Sequence, residues 1–144
     1  MDPFDLDRFV TAQADSYPIA LAELRRGRKR SHWMWWVFPQ LAGLGHSATA
    51  RAYAIGSADE ARAYLSHPLL GARLVEATAA VTAAVGTADA ILGPVDALKL
   101  RSSMTLFDAV ADDPAPFAAA LARFYGGERD AATVGLLTVP APRA

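Results

Sequence analysis

The stretch HPLLGARLVEATAAVTAAVG, residues 67–86, decides the fold class of this chain. Its apolar residues recur at intervals of three and four positions, which is the period of an α-helix and not of a β-strand. These residues are Leu70, Leu74, Ala77, Val81 and Val85. A proline near the start and a glycine at the end are the usual boundary signals of a helix. We therefore predict a helix that begins after Pro68 and runs to about Val85.

The same boundary signals recur on both sides of this stretch. Prolines after a capping residue predict helices beginning at Pro18, Pro94 and Pro114, and the first of these runs through Leu24. Shorter helices are predicted over 5–13, 59–65, 87–92 and 130–137. Alternating apolar runs followed by hairpin turns are absent from the sequence. The pattern predicts a mainly α, single-domain bundle of about seven helices around one core.

Length and composition agree with one packed domain. The chain has 144 residues, of which 53% are hydrophobic and 20% are charged, as is typical of a globular domain. We assign 1–138 to the helical domain and 139–144 to a C-terminal tail.

The lack of cysteine excludes disulfides and thiolate metal sites. The acidic N-terminus, without an apolar signal, and the short apolar runs predict a cytoplasmic protein with no membrane partner.

The charge is unevenly distributed along the chain. Five of the fourteen positive charges lie within 25–30, as Arg25, Arg26, Arg28, Lys29 and Arg30. The rest of the chain then has nine positive and fifteen negative residues, a balance of −6. This distribution disfavours a general nucleic-acid binder and indicates a local anion site. The basic segment either binds phosphate through its guanidinium groups or is a solvated helix end.

Three tryptophans follow the basic segment directly, as Trp33, Trp35 and Trp36. Two interpretations remain open for them. At least two belong to the core, or one ring stacks on a base beside the cations that hold its phosphates. The segment 32–38 is apolar on both sides in either a helix or a strand, so its periodicity does not decide its conformation. We expect it to be buried in both cases.

The predicted helix from Val95 carries polar residues next to its apolar stripe. Asp96, Lys99 and Ser103 fall within about 60° of one another at 3.6 residues per turn. Asp96 and Lys99 either pair with each other or line a pocket at the edge of the core. In the second case Asp96 is the candidate carboxylate that activates water or stabilises charge in N-glycoside hydrolysis.

Two glutamines and the histidines complete the set of candidates. Gln13 lies on the apolar stripe of the first helix, and Gln40 opens a glycine-containing loop over 40–47. The three histidines lack metal-ligand spacing, so we predict neither a metal nor a cofactor. Phosphate-binding glycine loops and serine-hydrolase motifs are also absent.

Several stretches resemble the bacterial domain-of-unknown-function family 1810, over nearly the whole chain. The stretches are 8–13 (RFVTAQ), 27–35 (GRKRSHWMW), 38–45 (FPQLAGLG), 64–71 (YLSHPLLG) and 96–107 (DALKLRSSMTLF). The resemblance implies a mainly helical single domain of uncharacterised function. The label calpastatin, which some such proteins carry, implies a disordered inhibitor and disagrees with this apolar composition.

A second, distant resemblance is to the helical NADAR family of NAD and ADP-ribose metabolism. It rests on the order of a Phe9 to Gln13 helix, the Gly27-Arg28 element, and two late helical segments over 96–107 and 117–137. The resemblance implies glycosidase chemistry on ADP-ribose-like ligands. The chain lacks that family's early Ser-Glu-x-x-Pro-like segment, so its catalytic carboxylate has no counterpart here.

These observations lead to one functional hypothesis and one alternative. The hypothesis is a protein that binds and hydrolyses a nucleotide or ADP-ribose-like N-glycoside, with Asp96 and Lys99 at the reacting centre. Ligand binding is assigned to Gln13, Arg28, Lys29, Arg30, Ser31, His32, Trp33, Trp36, Gln40 and Ser103. The alternative is a non-enzymatic binding module whose basic segment, Arg25 to Arg30, contacts an acidic protein or RNA. The sequence does not determine the oligomeric state.

Overall fold

The computed structural model describes residues 2–138, which form nine α-helices packed around one core. The helices are α1 (Asp7–Arg26), α2 (Met34–Val37), α3 (Ala48–Ala52), α4 (Ala58–Ser66), α5 (Leu70–Ala83), α6 (Ala88–Leu92), α7 (Pro94–Val110), α8 (Ala115–Tyr125) and α9 (Ala131–Thr138). Extended strands are absent from this part of the chain, where Leu41 and Ile55 form one isolated parallel bridge. The mainly α prediction is confirmed. The predicted tail, 139–144, lies outside the described residues.

The first helix is a single element, although the sequence predicted one helix over 5–13 and a second one from Pro18. Its buried positions continue at steps of three and four across the proline, through Gln13, Tyr17, Ala20 and Leu24. The Ser16 hydroxyl does not cap a new helix but donates to the Ala12 carbonyl. An interior proline costs about 3 kcal/mol. Burial of one face over twenty residues outweighs this cost.

The segment that periodicity left undecided forms a helix of one turn, α2, with Met34 and Val37 buried. α3 was not predicted, because it follows the glycine-containing loop and buries none of its residues. Ser47 begins α3 by accepting a hydrogen bond from the Ala50 N–H. The remaining helices agree with the predicted ones within a few residues.

The longest stretch of core lies on α7, which packs against α4, α6, α8 and α9. Phe107 of α7 contacts Tyr64 of α4 and Phe117 of α8, with ring centroids 5.6 and 5.8 Å away. α5 fills the space between α1, α4 and α8. This arrangement leaves the N-terminal half of α7 near the surface, where Val95 and Leu98 are exposed. None of the described helices is long and apolar enough to cross a membrane.

Arg8 holds the segment after α3 against the first helix. Its guanidinium donates to the carbonyls of Ala52 and Ala54 at 2.9 Å and pairs with Glu60 of α4 at 2.8 Å. These bonds lie on either side of Tyr53, whose ring packs on Phe9 and Trp36. Arg8 therefore fixes the backbone on both sides of Tyr53, and the Tyr53 side chain borders a surface groove.

Candidate functional site

Two lysines and one aspartate form a compact charged cluster beside the tryptophans. The carboxylate of Asp96, in the first turn of α7, accepts from Lys29 at 2.9 Å through one oxygen and from Lys99 at 3.2 Å through the other. The side chains are only 9% exposed in Lys29 and 22% in Lys99. The Lys29 ammonium lies 5.1 Å from the Trp33 ring, and the Lys99 ammonium 4.4 Å from the Trp35 ring. The cluster thus combines two cations, one anion and two indole faces.

Lys29 reaches this cluster because the backbone around it is fixed. α1 ends at Arg26 and is followed by Gly27, whose positive φ of 74° turns the chain sharply. The Lys29 N–H then donates to the Ile91 carbonyl at 2.7 Å. Lys29 points inward, whereas Arg28 and Arg30 on either side of it are exposed. One residue of the basic segment therefore belongs to the interior cluster.

A buried carboxylate, Glu23, organises the turn between the basic segment and the tryptophans. One oxygen accepts from the N–H groups of Arg30 at 2.8 Å and Ser31 at 2.9 Å and from the Trp33 indole at 2.9 Å. The other accepts from the Ser31 hydroxyl at 2.6 Å. Burial alone would raise the pKa of this carboxyl, but these four donors outweigh it and lower the pKa to about 2. Glu23 was not among the site residues predicted from the sequence, although an acidic residue beside Leu24 on the buried face of α1 is a recognisable signal.

The three tryptophans have different environments. Trp33 is fully buried and packs against Phe38. Trp36 is half-buried and donates its indole N–H to the Ser16 hydroxyl at 2.8 Å. Trp35 is also half-buried, and its ring borders a groove under the Lys99 ammonium. A ligand in that groove would therefore meet Trp35, which the sequence analysis did not include among the ligand-binding residues.

The groove lies between the loop over 40–47, α3, the exposed face of α7 and the start of α9. It consists of two adjoining depressions of about 180 and 420 Å³, and both are lined by Trp35, Gln40, Gly45 and Ala50. The larger one is within the range of small-molecule sites. Its walls are mainly apolar, with a few polar groups at the rim. Those groups are Gln40, His46, Ser47, Lys99, Ser102 and Asp130.

A family model described as a protein of unknown function, DUF1810, matches residues 3–137. The chain belongs to this family. It is also similar to a solved structure, the crystal structure of the conserved hypothetical protein Rv1873 from Mycobacterium tuberculosis, with 56% sequence identity and a TM-score of 0.94. That alignment covers 96% of this chain and 100% of the other. No curated protein matches the chain. These comparisons confirm the first resemblance and do not support the one to the NADAR family.

The predicted site residues of this DUF1810 domain do not all converge. Asp96 and Lys99 pair, as one interpretation of the α7 pattern expected, and Lys29 joins them. Gln40 borders the groove, whereas Ser31 is engaged by Glu23. Arg28, Arg30 and His32 are exposed.

Gln13 and Ser103 are core residues of the DUF1810 domain. The Gln13 amide donates to the Trp36 carbonyl at 2.7 Å and to the Tyr64 hydroxyl at 3.0 Å. It thereby connects α1 with α2 and α4. The Ser103 hydroxyl is fully buried and finds no hydrogen-bond partner among the described residues. Neither side chain lines the groove.

Proposed function

We propose that this protein binds a nucleotide-like ligand in the groove beside Trp35. The observation that carries the proposal is the Lys99 ammonium, which lies 4.4 Å from the half-buried Trp35 indole at the wall of an apolar groove. An aromatic face next to a cation is suited to a ligand that combines a base with an anionic group. The Gln40 amide at the rim supplies hydrogen bonds that would orient such a ligand.

We further propose that an ADP-ribose-like N-glycoside is hydrolysed at this site. In that reaction a water oxygen bonds to the anomeric carbon while the carbon–nitrogen bond breaks. The leaving nitrogen takes the electron pair and a proton of the water. Both Asp96 oxygens already accept from ammonium groups, so this carboxylate is a weak base, and it contacts the groove only through Lys99, which lines it. We therefore assign Asp96 an electrostatic role, stabilising positive charge on the sugar, and not the removal of a proton.

We expect Trp35→Ala and Lys99→Ala each to weaken binding of AMP or ADP-ribose at least about fivefold, because loss of one stacking or charged contact costs about 1–3 kcal/mol. Isothermal titration calorimetry measures the dissociation constant, Kd. Trp35→Phe should retain most of the affinity, since it keeps an aromatic face. Arg62→Ala, which removes an exposed charge on α4 that pairs with Asp59, is the matched control for Lys99. Absence of binding of ADP-ribose, NAD and mononucleotides to the unmodified protein would refute the proposal.

We expect Asp96→Asn to separate binding from hydrolysis. The substitution keeps the shape of the side chain but removes the negative charge shared by Lys29 and Lys99. The released positive charge should leave the affinity for phosphate-bearing ligands unchanged or raise it a few-fold, while turnover is lost. Chromatographic detection of the released base measures turnover, and calorimetry measures affinity. Turnover equal to that of the unmodified protein would rule out Asp96 as the charge-stabilising group.

A non-enzymatic binding module is a second candidate function. The observation in its favour is the exposure of four arginines, Arg25, Arg26, Arg28 and Arg30. An exposed surface that contacts several phosphates or carboxylates binds less tightly as salt rises. A small ligand enclosed by the Trp35 groove would depend less on salt, so ionic strength distinguishes the two functions.

A further inference from the structure

Four exposed arginines lie within six residues at the end of α1, and we name them together the arginine surface. Arg25 and Arg26 lie in the last turn of α1, and Arg28 and Arg30 follow in the irregular segment after Gly27. The side chains of 28–30 alternate between solvent and interior, since Lys29 points to Asp96. Guanidinium groups bind phosphate through two parallel hydrogen bonds.

This surface is held in place before any partner binds. Glu23 accepts from the Arg30 and Ser31 N–H groups, and the Lys29 N–H is bonded to the Ile91 carbonyl. Gly27 lies so close to the Val85 carbonyl that an added Cβ would be only 3.2 Å from its oxygen. A segment fixed at these points loses little backbone freedom on binding, which favours affinity.

Side-chain contacts connect Lys29, which is adjacent in sequence to Arg28 and Arg30, to the Trp35 groove. Lys29, the residue between two of the arginines, pairs with Asp96, and Asp96 pairs with Lys99 above the Trp35 ring. Aromatic rings continue from Trp35 to Trp36 and then to Tyr53, with centroid distances of 6.3 and 5.1 Å. Half-buried aromatic rings next to a cationic surface are the combination that binds single-stranded nucleic acids.

We propose that the natural ligand of the groove is a nucleotide within a single-stranded nucleic acid, whose neighbouring phosphates contact the arginine surface. This proposal rests on the proposed function, since the same groove receives the base. A phosphodiester chain fits better than an acidic protein because it supplies both bases for the aromatic rings and regularly spaced phosphates for the arginines. The overall charge of −1 does not oppose it, because the positive charge is concentrated where the phosphates would lie.

The test compares labelled oligonucleotides of about 12 nucleotides, a length typical of such sites, with AMP and with a polyglutamate peptide. Fluorescence anisotropy measures oligonucleotide and peptide binding, and calorimetry measures AMP binding. The oligonucleotide should bind at least tenfold more tightly than AMP. Four phosphate contacts predict that its association constant falls about 50-fold between about 50 and 200 mM salt. RNA and DNA of the same sequence are compared to identify which of them is preferred.

The Arg28→Ala/Arg30→Ala double variant should reduce that salt effect to about sevenfold, since two phosphate contacts are lost. Its affinity for AMP should be unchanged. The control, Arg62→Ala, should match the unmodified protein in both assays. Loss of oligonucleotide affinity in the double variant with AMP affinity retained would support the proposal.

An unchanged salt effect in the double variant would overturn the inference, and three other outcomes also contradict the inference or the proposed function. If AMP binds but the oligonucleotide binds no more tightly, the arginine surface has no role and the proposed function stands. If polyglutamate binds as tightly as the oligonucleotide, the partner is an acidic protein and the inference is wrong. If neither AMP nor the oligonucleotide binds, the proposed function itself fails.

Discussion

Glu23→Ala is expected to destabilise the protein by about 3–5 kcal/mol, because it leaves several buried donors without an acceptor at a cost of about 1–3 kcal/mol each. The carboxylate is 3% exposed and accepts four hydrogen bonds. Alanine would leave two backbone N–H groups, one hydroxyl and the Trp33 indole without this acceptor. Urea denaturation followed by tryptophan fluorescence measures the free energy of unfolding. A loss below about 1 kcal/mol, the size of a single hydrogen bond, would contradict this role of Glu23.

Glu23→Gln is the matched control, because it keeps the shape and one oxygen acceptor but cannot ionise. The folded-state pKa of Glu23 is lowered from 4.5 to about 2. A carboxyl with a lowered pKa contributes stability above its unfolded-state pKa and loses that contribution as the pH falls through the folded-state value. The unmodified protein should therefore lose about 3 kcal/mol between about pH 5 and pH 2 from this group. The Glu23→Gln variant should not show this decrease in the free energy of unfolding on acidification. If its acid dependence equals that of the unmodified protein, other carboxyl groups cause the decrease.

Gly71→Ala is expected to destabilise the protein by about 3 kcal/mol or more, since overpacking against rigid backbone is poorly relieved. Gly71 lies in the first turn of α5, where the chain passes close to the end of α4. A Cβ at this position would lie 2.0 Å from the Leu65 carbonyl oxygen and 2.8 Å from its carbon. Both atoms belong to the backbone, so α4 and α5 would have to move apart. Thermal and urea denaturation measure the effect.

The same substitution at Gly135 is expected to have the opposite sign. Gly135 lies within α9, and an added Cβ would meet nothing within 4 Å. Alanine should therefore stabilise the protein by about 0.5–1 kcal/mol through its higher helix propensity. Equal changes in stability for the two substitutions would show that α5 does not approach the Leu65 backbone this closely.

Local signals predicted most of the fold. The apolar period of 67–86 and the prolines at 94 and 114 identified α5, α7 and α8, because helix period and helix ends depend on neighbouring residues. Pro18 misled the prediction, since the burial that keeps α1 continuous comes from helices distant in sequence. The short α3 was missed for a related reason, because a helix without buried residues has no apolar pattern.

The candidate site was predicted only in part. The pairing of Asp96 with Lys99 was one of two alternatives expected from their i, i+3 spacing, because both lie on one helix. The contact of Lys29 with Asp96 depends on how the segment after α1 crosses α6 and α7. Likewise, a pattern of three tryptophans does not tell which ring borders a groove that distant elements form.

Local sequence patterns are sufficient to predict a helical domain with a concentrated basic segment followed by three tryptophans. Long-range packing determines that Lys29 points inward, that Arg28 and Arg30 are exposed, and that Trp35 is the ring beside the groove. The physical reason is that helix formation depends on neighbouring residues. The direction of a side chain in an irregular segment depends on distant partners, here Glu23, Ile91 and Asp96.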